Sequence, residues 1–180
     1  MNRRSLHLRH LVMSALFAAL ILVATRFFQI PIPATGGYIH PGDALCLLAA
    51  WLLPLPYGMA AAAVGTMLAD VLSGYIVYAL PSFIIKLIVA LVAKLLFRLL
   101  WRGVPTFKKT LLPCLVSGFA GEFCMVMGYF FFSAVVRGGG LEAAVSIPSD
   151  SLQGAFGIVC ATMLFCPLAG RVLPRLQKLL

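Results

Sequence analysis

Apolar runs recur from Leu11 to residue 173 with no long polar segment between them, which leaves a chain of 180 residues no room for a separate water-soluble domain. Hydrophobic residues make up 62% of the chain and charged residues 11%, too little polar surface to coat a soluble globule of this size. The expectation is an all-α integral membrane protein: a bundle of six transmembrane helices forming one domain over residues 1–180. The N-terminus, basic and then apolar to Thr25, has the look of a secretory signal. No A-x-A site follows it, so it reads as a retained first span.

Apolar runs and Pro and Gly punctuation place the spans at residues 11–28, 43–55, 57–78, 82–101, 111–135 and 152–173. The second is too short for a bilayer core of about 30 Å at about 1.5 Å per residue. Charge placement argues for counting it. Ten of the 14 Lys and Arg residues fall in three segments: Arg3, Arg4 and Arg9; Arg98, Arg102, Lys108 and Lys109; Arg171, Arg175 and Lys178. If all three segments are cytoplasmic, an even number of crossings separates them. Four spans then precede residue 102, both termini are cytoplasmic, and the 29–42, 74–81 and 136–150 loops lie outside. The short span is supplemented at its ends or sheltered by packing neighbours. The same clustering turns the net charge of +9 away from nucleic acid and towards the lipid bilayer as partner.

Few ionisable groups lie at membrane depth, and each calls for a partner or a purpose. Asp70 in span three and Lys86 in span four fall at similar height in the outer half, so Lys86 either pairs with Asp70 or faces a ligand. Glu122 lies near mid-membrane in span five, with Tyr129 on the same helical face two turns further out. Gln153 opens span six behind Asp150 and Ser151. Polar groups thus gather in the outer half, as a dead-end cavity open to the outside requires and a pore does not. In "GGYIHPGDAL", residues 36–45, glycines and Pro41 make the turn into span two. Asp43 reads as a helix cap, and Tyr38 and His40 read as ligand contacts or interfacial residues.

Span three is rich in Gly58, Ala60, Ala61, Ala62, Ala63, Gly65 and Ala69, which marks a central packing helix. Ala15, Ala18 and Ala19 give span one a smooth face for another helix, inside or outside this bundle. The cysteines at 46, 114, 124, 160 and 166 read as small buried hydrophobes. With no Walker, HExxH or GxSxG sequence and no metal-spaced acids or histidines, neither an enzyme nor a metal or cofactor site is expected.

Residues 37–96 resemble the substrate-binding S component of energy-coupling factor (ECF) vitamin transporters. The resemblance rests on Gly42-Asp43 opening span two, the turn from Pro54 to Gly58, Asp70 to Tyr75 ending span three, and Pro81 to Lys86 opening span four. "GEFCMVMGYFFFSAV", residues 121–135, and "IPSDSLQGAFG", residues 147–157, are similar to the riboflavin, hydroxymethylpyrimidine and pyridoxine branch. Where that branch carries an asparagine ahead of the span-six glutamine, this chain has Asp150, a departure that bears on which ligand substituent is recognised.

The resemblance implies a vitamin-capturing subunit of a bacterial cytoplasmic membrane, working with a transmembrane T component and two cytoplasmic ATPases. It implies a small vitamin or precursor as substrate, with pyridoxine or hydroxymethylpyrimidine favoured by the amine, carboxylate, amide and tyrosines, and riboflavin the alternative. The candidate binding residues are Tyr38, His40, Tyr75, Lys86, Glu122, Tyr129, Asp150 and Gln153, with the 29–42 loop as a lid. Ala15, Ala18 and Ala19 become the T-component docking face, and Asp43 and Asp70 are structural. A stand-alone secondary carrier or a membrane scaffold is the expectation from another class.

Overall fold

In lipid, peptide groups find hydrogen-bond partners only within the chain, so apolar runs of this length close on themselves as helices. The computed structural model describes residues 3–32, 37–101 and 107–177. It shows six α-helices: α1 (Arg3–Phe27), α2 (Gly42–Leu52), α3 (Leu55–Leu72), α4 (Ile76–Leu100), α5 (Phe107–Phe131) and α6 (Ile147–Gln177). A two-stranded antiparallel hairpin, β1 (Ile30–Ile32) and β2 (Gly37–Ile39), joins α1 to α2, with Ile30 opposite Ile39. A π-helical turn at Phe132–Val136 and a 3-10 helix at Gly140–Ser146 join α5 to α6.

Among the described residues, five helical stretches are long and apolar enough to cross a membrane. The second candidate span is not among them: α2 has 11 residues, roughly half a crossing at about 1.5 Å per residue. It is sheltered rather than lengthened. Nine of its residues, from Gly42 to Trp51, are buried, and α1, α3, α4 and α6 all pack on it. The fold therefore wraps longer helices around a short central one.

Two connections are tighter than the sequence suggested. Helix α4 begins at Ile76, ahead of Pro81, so the expected 74–81 loop shrinks to Ser73–Tyr75. Pro81 lies inside α4, in its second turn, so the helix forgoes one i→i−4 hydrogen bond there. Helix α6 begins at Ile147, so Asp150, expected ahead of the span, lies within the helix together with Gln153.

Helix α3 is the packing helix its small residues suggested, with Gly58, Ala61, Ala62, Ala63, Gly65 and Ala69 all buried. At Gly65 a Cβ would lie 2.7 Å from the Ala18 carbonyl oxygen and 2.9 Å from Ile21 Cβ. Half-buried Ala18 belongs to the internal α1–α3 seam, whereas Ala15 and Ala19 are exposed with Leu16 and Leu20.

Below α2 the core is aromatic and closed. Trp51, Phe97 and Phe165 are buried, with Phe165 5.4 Å from Trp51 and 5.5 Å from Phe97 between ring centres. Lys94 donates to the Trp51 carbonyl oxygen at 3.0 Å, meeting an orphan acceptor at the C-terminal end of α2.

Candidate functional site

A cavity of about 380 Å³ opens at the end of the bundle that carries the β-hairpin and the α5–α6 connection. Its wall is built by helical periodicity. Tyr78 and Ser82 stand one turn apart on α4, and Tyr129 continues to Ser133 on the α5 side. Gln153 and Asp150 come from α6, Thr66 and Asp70 from α3, and His40 from the turn after β2. The Ser82 hydroxyl and Tyr129 hydroxyl are 2.9 Å apart, which fixes the tyrosine ring against α4.

Beneath the cavity lies a buried polar network that ties four elements together. Lys86 forms an ion pair with Asp43, and both side chains are fully buried. The Lys86 ammonium also contacts Met125 Sδ at 2.8 Å and lies 5.9 Å from the Tyr129 ring centre. Gln153 Nε2 donates to Asp43 Oδ2 at 2.6 Å, while Gln153 Oε1 accepts from the His40 backbone N–H at 3.1 Å. His40 Nδ1 accepts from the Gly42 N–H at 3.1 Å.

This network overturns two expectations. Asp43 is not a helix cap: it makes no capping hydrogen bond at the start of α2 and is instead the partner of Lys86. Asp70, the partner expected from depth, lies in the cavity wall. The reason is geometric. The hairpin delivers α2 into the bundle interior, so its first turn reaches Lys86 from the side.

Of the expected binding residues, His40, Tyr75, Tyr129, Asp150 and Gln153 line the cavity. Lys86 and Glu122 lie behind its floor. Glu122 is buried, neither carboxylate oxygen has a hydrogen-bond partner among the described residues, and it is within electrostatic range of Asp43 and Lys86. Its space comes from Gly154, where a Cβ would lie 2.9 Å from Glu122 Cβ. The Tyr38 backbone pairs with Pro31, but its side chain lies outside the described residues. Sequence reasoning missed Tyr78, Ser82 and Ser133. The signal was present: Tyr78, Ser82 and Lys86 recur every four residues on one face of α4.

His40 is 7% exposed, and burial pushes its imidazole down from 6.5 to about 4, with Asp43 partly offsetting the loss. The unfolded chain therefore takes up a proton below pH 6.5 that the folded chain refuses until about pH 4. Stability present above that window is expected to fall across it by on the order of 3 kcal/mol. Thermal unfolding in detergent between pH 7 and 4 checks this, against His40→Gln, in which this component disappears.

The family profile described as "ECF-type riboflavin transporter, S component" matches residues 5–170. The chain belongs to this S-component family. Its members are transporter subunits rather than enzymes, and the apolar helices of this S component accord with a multi-pass membrane protein. A Pyrococcus woesei protein described as "Uncharacterized protein in gap 3'region" is 32% identical over 161 residues, spanning 87% of this S component and 99% of that protein.

Proposed function

We propose that this S component captures a small heteroaromatic vitamin from outside the cytoplasmic membrane and delivers it inward with a T component and two ATPases. The observation that carries the proposal is a cavity of about 380 Å³, within the range of roughly 300–1,000 Å³ typical of small-molecule sites, closed below by a buried network and an aromatic core. A closed floor favours a binding subunit over a channel or a stand-alone carrier, either of which needs a polar path through the bundle.

Riboflavin is the ligand best supported. The family's description names it, and the wall pairs Tyr75, Tyr78 and Tyr129, suited to a flat ring, with Thr66, Ser82 and Ser133 hydroxyls, suited to a polyol chain. Pyridoxine or hydroxymethylpyrimidine rested on an amine, a carboxylate, an amide and tyrosines; Gln153 and the tyrosines line the cavity, whereas Lys86 and Glu122 stand behind its floor. Calorimetry on the purified chain without ATP should show one riboflavin bound per chain, displaced weakly or not at all by pyridoxine. A panel of all three compounds giving no heat removes the proposal. Uptake into vesicles lacking ATPases, driven by an ion gradient, would instead establish a carrier.

Docking is assigned to the exposed face of α1 around Ala15 and Ala19. Ala15→Trp or Ala19→Trp is expected to abolish co-purification with the T component and ATPases while ligand binding persists, because neither side chain packs inside the bundle. Retained association in both variants would place docking elsewhere.

A further inference from the structure

The segment from Phe132 to Ser146 is a loosely held part of the cavity wall. Between Ser133 and Ser146 it supplies nearly half of the lining, yet none of its residues is buried. Such a segment has little packing to lose when it moves. Its flanks are better fixed: the Tyr129 hydroxyl is 2.9 Å from that of Ser82, and Ile147 packs on the core. Between them the chain passes through Gly138 and Gly140, whose φ of 72° and 52° lie in the left-handed region open to glycine. A Cβ at either would meet nothing within 4 Å, so the surroundings leave the backbone room to turn there.

Tyr78, in the first turn of α4, ties this strap to that helix. Arg137 donates to the Tyr78 hydroxyl and lies 5.4 Å from the centre of its ring, and the Phe132 ring meets the same ring edge-on at 5.6 Å. Arg137 is exposed, so water takes up its donors whenever it leaves Tyr78 and the contact breaks at low cost. The hairpin side of the cavity is held differently: His40 is buried, with its backbone N–H on Gln153 in the network below.

A site closed below must admit its ligand from above. Resting on the vitamin-binding reading, we infer that the Phe132–Ser146 strap is the gate of the cavity, hinged at Gly138 to Gly140 and latched to α4 by Arg137 on Tyr78. Opening turns the strap about the glycines and frees Arg137; closing over the ligand restores its contacts with Tyr78.

The test is stopped-flow mixing of the detergent-purified chain with riboflavin, pyridoxine or hydroxymethylpyrimidine, whichever calorimetry shows to bind. Arg137→Gln is expected to raise the association and dissociation rates together, by about five- to tenfold, and to leave Kd within about threefold of the parent. Tyr78→Phe keeps the ring and loses the hydroxyl, so it should raise both rates by less. A residue that merely touches ligand would raise the dissociation rate alone. In Tyr78→Cys/Arg137→Cys, joining the two thiols with a bifunctional maleimide should slow both rates on the order of tenfold or more relative to the unjoined variant, with the parent given the same reagent as control.

Unchanged rates in Arg137→Gln, or a rise in dissociation alone, overturn the gate and leave the vitamin-binding reading intact. A joined variant that exchanges ligand as fast as the unjoined one overturns it too, and places entry elsewhere. Binding of none of the three vitamins overturns the vitamin-binding reading, and this inference with it.

Discussion

Lys86→Met is expected to destabilise the protein by about 3–5 kcal/mol, because it leaves the buried Asp43 carboxylate without its cation. Both side chains are fully buried, so water cannot take over the lost partner. Among the described residues, only the Gln153 amide, 2.6 Å away, would remain hydrogen-bonded to that carboxylate. Thermal unfolding in detergent should show a drop on the order of 10 °C. Ligand binding should weaken with it, since Gln153 and the Tyr129 ring both rest on this network. The informative comparison is Asp43→Asn/Lys86→Met, which removes both charges and keeps an oxygen for Gln153. That double variant should recover most of the loss. A single variant as stable as the parent, or a double variant no better than the single, would refute the pair's role.

The second large effect is expected at the α1–α3 seam. Gly65→Val places a branched side chain where even one Cβ lies 2.7 Å from the Ala18 carbonyl oxygen. That neighbour is backbone, so it cannot swing aside, and α1 must move as a unit. Helix packing in lipid depends on close van der Waals fit, and overpacking costs about 1–3 kcal/mol or more. The variant is expected to melt well below the parent and to lose its ATPase partners although Ala15 and Ala19 are intact. Ala15→Trp should lose the partners without the loss of stability. Gly65→Val melting like the parent would show that the seam opens without cost.

These two sites also separate what could be read along the chain from what could not. The small residues of α3 declared a packing helix, and Gly65 is where the approach is closest. Which face of α1 meets it was not legible: Ala15, Ala18 and Ala19 form one smooth patch in the sequence, and the structure turns Ala18 inward and leaves the other two outside. In the candidate site, the rise along a helix gave Asp70, Lys86, Glu122 and Tyr129 their relative depths. Depth does not say which group lies across a gap of a few ångströms, and the pairing with Asp70 failed on that point.

By itself, the sequence determined the membrane class, the helices and the gathering of polar groups towards one end of the bundle, because lipid allows a backbone so few alternatives that apolar length and charge placement suffice. The tertiary structure decided that α2 lies buried at half length, that Asp43 rather than Asp70 holds Lys86, and that Lys86 and Glu122 stand behind the cavity floor. Those outcomes depend on rotation about each helix axis and on which helices are neighbours. Both are set by close packing among residues far apart in the chain, which no local pattern records.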